Sequence, residues 1–199
     1  FSKTGVDAGM YAKGLMLKAL EYDSDGMDPQ MLMDLAQKDT PLPGACTCVM
    51  AQLDNSDTLQ VANLGDSGFK IIRNGKMVVE SEDMSHFFDC PYQLADPQTS
   101  KEADRAADAE RYSVKLQEGD MIIAATDGLW DNAFNDEIMS TVKQISKRIE
   151  AKGGGPADLA KAVARDLSWV ARKNADDGDV PTPYAINKQE NGNGQEKSG

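Results

Sequence analysis

Two acidic residues of this chain lie directly beside a glycine, each after an apolar run: Asp66 and Asp127. A carboxylate at a strand end is a hard oxygen ligand of the kind that Mg²⁺ or Mn²⁺ binds, with water filling much of the coordination shell. Asp66 could instead be a turn residue that bonds nearby backbone amides, and Asp127 could cap the helix that follows it. Neither motif alone decides between these interpretations.

Asp66 is predicted to lie among short strands. The β-prone run Thr58–Leu64 precedes it, and residues 69–73 and 76–79 form two further runs after it. Asn74-Gly75 separates the last two runs, and this pair is typical of a type I′ hairpin turn, because both central residues of that turn need positive φ. The pattern therefore places Asp66 inside a β-meander.

Asp127 is predicted to lie at the end of a buried strand. The apolar run Met121–Ala125 follows turn residues at 117–120 and is too short for a helix. Gly128 lets the backbone turn sharply after the strand and approach a ligand closely. Trp130, two residues further on, either shields such a site or closes the core, and we expect it to close the core.

Helices are predicted on either side of these strands. Apolar residues recur at helical spacing over residues 7–22, Pro29–Lys38, 136–149 and 156–172. Two of these segments start with proline at the first turn, a position that tolerates its missing N–H. The chain therefore has an α+β pattern, in which the last two helices form a pair packed on one face of a sheet.

Together and in this order, the two acidic motifs resemble those of the metal-dependent PP2C (PPM) family of protein serine/threonine phosphatases. The resemblance is strongest to the branch that contains the mitochondrial phosphatase PPTC7 and the plastid photosystem II core phosphatase. It covers about residues 5–187. The stretches that carry it are residues 43–48, 58–69, 86–94, 116–132 and 183–187.

The resemblance implies an α+β fold with two antiparallel β-sheets packed as a sandwich and flanked by helices. It also implies hydrolysis of phosphoserine and phosphothreonine in proteins by a water activated by Mn²⁺ or Mg²⁺, without a covalent enzyme intermediate. By position, Asp127 matches a metal-binding aspartate of the family. Asp66 matches the aspartate of the Gly-Asp-Ser motif, which in several members helps to hold a weaker third metal.

Two family motifs have no counterpart in this sequence. One is the Ala-Asp-Gly-Val-Gly-Gly-like segment that supplies the bridging aspartate, and the other is the Gly-Gly-Lys-x-Asp-Asp-x-Thr segment that supplies the last one. We therefore expect the chain to be an incomplete phosphatase sequence, with a partial PP2C-type domain over residues 1–187 and a polar, disordered tail over residues 188–199. The alternative is an inactive pseudophosphatase that acts as a binding or scaffold module.

Composition limits the partners of this chain. Its 199 residues carry a net charge of -12, which argues against nucleic acid or an anionic membrane as a partner. No apolar run approaches the length of a membrane span. We expect a monomer that acts on a phosphoprotein substrate inside the cell, and the resemblance suggests a mitochondrion or plastid. The sequence identifies neither the substrate nor the regulation.

The remaining reactive side chains are predicted to be structural. Ser67 has no Gly-x-Ser-x-Gly elbow or companion base nearby in sequence, so a nucleophilic role is not expected. His86 is the only histidine, and we expect a structural or substrate-flap role for it. The three cysteines do not form a disulfide framework, and Cys46 and Cys48 are expected to be small core residues.

Overall fold

The computed structural model describes residues 6–23, 26–97, 100 and 103–195. Its backbone divides into two compact units. The first contains the residues up to Phe69 together with Ser81–Asp120, and the second contains Lys70–Glu80 and the residues from Met121 onward. The helices are α1 (Ala8–Tyr22), α2 (Pro29–Lys38), α3 (Asp127–Trp130), α4 (Asn135–Glu150), α5 (Pro156–Asp176) and α6 (Pro183–Gln195). The strands are β1 (Ala45–Cys46), β2 (Cys48–Leu53), β3 (Thr58–Leu64), β4 (Gly68–Arg73), β5 (Lys76–Glu80), β6 (Ser85–Phe87), β7 (Cys90–Pro91), β8 (Leu94–Ala95), β9 (Glu110–Lys115) and β10 (Met121–Ala125).

The first unit is built on an antiparallel sheet in the order β2-β3-β9. Ala62 of β3 pairs with Met50 on one side and with Arg111 on the other. Helices α1 and α2 pack against each other, and α2 also packs on β2 and β3. The core between the helices and the sheet consists of Tyr11, Leu15, Ala19, Met33, Ala36, Cys48, Met50, Ala62, Leu64, Leu94, Ala106 and Ala109.

Aspartate side chains cap the two helices of the first unit. Asp7 accepts a hydrogen bond from the backbone N–H of Gly9 at 2.9 Å, and Asp28 accepts from Gln30 at 3.0 Å and from Met31 at 3.1 Å. These bonds satisfy N–H groups that have no partner inside the first turn of a helix. Both helices predicted for this region are confirmed.

The second unit has a sheet in the order β10-β4-β5, the single-turn helix α3 and the longer helices α4, α5 and α6. The predicted hairpin between β4 and β5 is confirmed, because Asn74 and Gly75 have φ of 50° and 72°. Helices α4 and α5 pack against each other. The core of this unit consists of Ile72, Ile123, Leu129, Ala133, Ile138, Val142, Ile145, Ala162, Val163, Leu167 and Ala171.

The predicted α+β class with antiparallel sheets is confirmed by both units. The helix that was predicted over residues 156–172 extends further, to Asp176. Residues 188–195, which were predicted to be a disordered tail, continue helix α6, while residues 196–199 lie outside the described residues. Lys188, Gln189 and Glu190 have good helix propensity, whereas the glycines and asparagines at 191–194 do not, so propensity does not explain the end of this helix. The domain boundary at residue 187 stays a prediction.

No helix in the described part of the chain is long and apolar enough to cross a membrane.

The buried side chain of Gln37 braces the first unit. Its exposed fraction is 2%, and its Nε2 donates to the carbonyl oxygens of Ala95 at 3.1 Å and Asp104 at 2.8 Å. Its Oε1 accepts from the backbone N–H of Ala106 at 3.2 Å. One side chain on α2 therefore satisfies three backbone groups that are distant in sequence, and buried backbone groups are costly to leave unpaired.

Replacing Gln37 by Ala should lower the free energy of unfolding by about 2–3 kcal/mol, because three backbone groups lose their partner. Urea denaturation of the two proteins measures this change. Gln117→Ala is the matched control, since the Gln117 side chain is exposed. Equal unfolding midpoints for wild type and Gln37→Ala would show that the brace contributes nothing.

Candidate active-site segments

The Asp66 segment connects β3 to β4 in the first unit. Asp66 is half-buried and follows Gly65, whose backbone φ is +100°. The hydroxyl oxygens of Ser67 and Thr47 lie 2.7 Å apart and share a hydrogen bond. The carbonyl of Gly65 accepts from the backbone N–H of Met84 at 3.2 Å. The carboxylate of Asp66 is therefore presented from a loop that is held on both sides.

Only glycine fits at position 65. A Cβ atom there would lie 2.4 Å from Cγ2 of Thr47 and 2.6 Å from the carbonyl oxygen of Tyr92. Both distances are shorter than any ordinary contact, and the positive φ adds the strain that L-residues meet in this region. Close packing therefore requires the glycine of this Gly-Asp motif. The same packing fixes the backbone position of Asp66.

The Asp127 segment lies in the second unit, directly after β10. Thr126 is the N-cap residue of the single-turn helix α3, and Asp127 is its first helical residue. The exposed carboxylate of Asp127 accepts from the backbone N–H of Gly128 at 2.6 Å. Asp127 therefore lies at a strand end, as predicted, while the capping position that was considered for it belongs to Thr126.

Trp130 closes the core of the second unit, as predicted. Its half-buried ring packs against the apolar cluster of that unit. Its indole Nε1 donates to the carbonyl oxygen of Ala125 at 3.0 Å, which ties the end of α3 back to the end of β10. A buried indole N–H needs such a partner.

The predicted structural role of His86 agrees with its contacts. Its ring stacks on Tyr92 with a centroid distance of 3.9 Å, and its Nε2 lies 3.0 Å from Oδ1 of Asp104. Asp104 also accepts from the backbone N–H of Gln93 at 2.8 Å. Tyr92 and Asp104 were not predicted as partners of His86. The separation of Asp104 from His86 along the chain gives no local signal.

Ser67 and the cysteines occupy packed positions. Ser67 is 8% exposed, and its hydroxyl shares a hydrogen bond with the hydroxyl of Thr47, not with a base. Burial raises the pKa of the Cys46 thiol to about 11. The pKa of the more deeply buried Cys48 thiol is raised further by the same cause. Both cysteines pack with the core of the first unit, as predicted.

A metal site needs more donors than the described residues bring together. Within residues 6–23, 26–97, 100 and 103–195, no group of three or more histidine, cysteine, aspartate or glutamate side chains could hold a metal ion. Asp66 belongs to the first unit and Asp127 to the second. Both carboxylates have suitable chemistry for Mn²⁺ or Mg²⁺, but Mg²⁺ takes six oxygen ligands in octahedral geometry. Asp66 and Asp127, the two candidate ligands, therefore do not make up a complete metal site by themselves.

Comparison with known proteins identifies the family. A family model described as Stage II sporulation protein E (SpoIIE) matches residues 5–180, which include both acidic segments. The chain belongs to the SpoIIE and PP2C-type phosphatase family. This confirms the family resemblance that the sequence motifs indicated.

Curated relatives of this PP2C-type chain carry phosphatase names. "Probable protein phosphatase 2C 26" of Arabidopsis thaliana is 32% identical over 96% of the chain, and 60% of that relative is covered. "Protein phosphatase PTC7 homolog fig" of Drosophila grimshawi is 33% identical over 94% of the chain, with 64% of the relative covered. The chain therefore spans about six-tenths of the length of these two relatives.

Solved structures share the fold of this PP2C-type chain. The photosystem II phosphatase PBCP is 29% identical, with a TM-score of 0.84 over 96% of this chain and 71% of that one. The catalytic domain of the serine threonine protein phosphatase PstP, solved with 2 manganese ions, is 13% identical with a TM-score of 0.60 over 83% of this chain and 75% of that one. The second likeness concerns the fold alone.

Replacing Gly65 by Ala should lower the free energy of unfolding by about 3 kcal/mol, because the added methyl group collides with Thr47 and with the Tyr92 carbonyl. Gly119→Ala is the matched control. Gly119 also has positive φ, +88°, but a Cβ there meets nothing within 4 Å. The free energy of unfolding of the control should fall by only about 1 kcal/mol, which is the cost of a side chain at positive φ. Similar losses in both variants, measured by urea denaturation, would refute the close-packing argument.

Proposed function

We propose that this chain is part of a protein serine/threonine phosphatase that hydrolyses phosphoserine and phosphothreonine with a metal-activated water. The observation that carries the proposal is the family match over residues 5–180, within which Asp66 and Asp127 each follow a strand beside a glycine. The phosphatase names of the relatives support the same activity.

Mn²⁺ or Mg²⁺ is the proposed cofactor, and Asp127 and Asp66 are its candidate ligands in this chain. Ionised carboxylates are the hard oxygen donors that these ions prefer. The manganese ions held by the structural neighbour PstP agree with this choice. Because the described residues form no cluster of three donors, the remaining ligands must come from other groups, including water and substrate oxygens.

The contribution of this chain to the reaction is the placement of two carboxylates. Gly65 and the Thr47–Ser67 hydrogen bond hold the backbone that carries Asp66. The hydrogen bond from the Gly128 N–H to its carboxylate holds Asp127 at the start of α3. Carboxylates that are already held in place lose little conformational freedom when a metal ion binds. This is the general advantage of preorganised sites.

A phosphoprotein is the proposed substrate, because the relatives are named protein phosphatases. The net charge of -12 also favours a protein over a nucleic acid as the partner. The resemblance suggests a mitochondrion or a plastid. The photosystem II phosphatase supports the plastid, and the PTC7 homolog supports the mitochondrion. A monomeric state also stays a prediction. Imaging of the tagged full reading frame would decide between the two organelles.

The activity is tested by Mn²⁺-dependent hydrolysis of a phosphothreonine peptide, with the 199-residue chain assayed beside the full reading frame that encodes it. We expect activity in the full reading frame and little or none in the 199-residue chain, since its described carboxylates do not complete a two-metal site. Phosphate release measures both rates. No activity in either protein, at any Mn²⁺ concentration, would favour a binding module over an enzyme.

Asp127→Ala should abolish turnover of the active form by removing a metal ligand, whereas Asp66→Ala should mainly reduce it. Asp136→Ala is the control, because Asp136 is an exposed carboxylate in the first turn of α4 and is not proposed as a ligand. Turnover is measured over a series of Mn²⁺ concentrations. Wild-type turnover in Asp127→Ala would remove the proposed metal role of that residue.

A further inference from the structure

Lys70 is a charged side chain inside the second unit. It lies on β4 and is only 8% exposed. An ammonium group that is withdrawn from water is strongly unfavourable unless other groups replace its solvation. The contacts of Lys70 therefore have to include groups that bind a cation.

Three groups of the second unit surround the Lys70 ammonium. Glu80 Oε1 lies 2.6 Å from Nζ, and Asn135 Oδ1 accepts a short hydrogen bond from it. The Trp130 ring lies under Nζ, with 4.7 Å between Nζ and the ring centroid, a cation–π geometry. Asn135 Nδ2 also donates to Glu80 Oε2 at 3.1 Å, so the polar partners hold each other.

These partners come from three different elements. Glu80 ends β5, Asn135 begins α4, and Trp130 ends α3. We call Lys70 with these three side chains the Lys70 clamp. Trp130 is held twice, by the ammonium on its ring face and by the Ala125 carbonyl at its Nε1. The clamp therefore connects the end of α3 to the strands and to the next helix.

Helix α3 needs such support from outside. It has only four residues, and a single helical turn has little stability of its own, because nucleation fixes several dihedral angles for one hydrogen bond. Asp127 is the first residue of this turn and Trp130 is the last. Leu129 anchors the turn in the core of the second unit, and the contacts of Trp130 hold its last residue.

We infer that Lys70 is a positioning residue, which fixes Trp130 and through it the helical turn that presents Asp127. The inference rests on the proposed metal-ligand role of Asp127 for its functional meaning. Lys70 itself is expected to contact neither metal nor substrate. Its effect is to keep the Asp127 turn closed in the absence of any ligand.

The test is amide hydrogen exchange in Lys70→Met, which keeps most of the side-chain volume and removes the charge. The amides of Leu129 and Asp131 donate to carbonyls of the same turn, at 3.0 Å and 2.8 Å. They should exchange at least tenfold faster in the variant, while the amides of β3 in the first unit keep their wild-type rates. Unchanged exchange at Leu129 and Asp131 would overturn the inference.

Lys76→Met is the matched control, because Lys76 is an exposed lysine on β5, the neighbouring strand of the same sheet. It should leave the exchange of the α3 turn unchanged. A merely structural role of Lys70 would instead accelerate exchange throughout the second unit, including α5, together with a lower urea midpoint. That pattern would also overturn the inference.

Trp130→Phe provides a second, independent variant if Lys70→Met does not fold. Phenylalanine retains the ring but loses the Nε1 bond to Ala125 and offers a weaker cation–π face. It should accelerate the exchange of the same two amides, while the amides of β3 keep their wild-type rates. Unchanged exchange at Leu129 and Asp131 in Trp130→Phe would refute a route through Trp130.

The activity arm separates this inference from the proposed function. In the full reading frame, the Mn²⁺ concentration that gives the half-maximal phosphatase rate should be at least threefold higher for Lys70→Met than for wild type. The kcat at saturating Mn²⁺ should stay within twofold of wild type. An inactive wild type would end the proposed phosphatase function, whereas the exchange rates would still decide whether Lys70 positions the turn.

Discussion

The two-sided pairing of β3 is the constraint on which the candidate site in the first unit depends. Each residue from Leu59 to Asn63 pairs with β2 on one edge and with β9 on the other. A buried strand must satisfy its N–H and C=O groups in this way, and so it cannot slip by one residue without reversing which side chains face the core. The end of β3 at Leu64 is thereby fixed, and the close approach of Gly65 to Thr47 follows from it.

Elements with local causes could be predicted from the sequence. The Asn74-Gly75 hairpin, the Asp28 cap and the proline starts of α2 and α5 each depend on residues within a few positions of one another. The environments of Asp66 and Asp127 were predictable for the same reason, since both follow short apolar strands. Their complete ligand set was not, because metal ligands are brought together by the chain fold and not by their spacing.

Contacts between distant positions could not be predicted. Lys70 lies in an apolar run, where a lysine suggests a solvent-facing position, yet its partner Asn135 lies 65 residues further along the chain. Gln37 similarly joins backbone groups that are 58 to 69 residues away. Single polar residues with distant partners leave no periodic signal, although each of them decides how a segment is oriented.

The burial of Cys46 and Cys48 has a consequence for redox chemistry. The thiolate is the form of cysteine that reacts with oxidants and electrophiles. Burial raises the pKa of Cys46 to about 11 and the pKa of Cys48 further, so both thiols stay protonated at neutral pH. Neither of these two thiols is suited to sense peroxide. Thiol oxidation should therefore not disturb the segment between Cys46 and Cys48, where Thr47 binds Ser67.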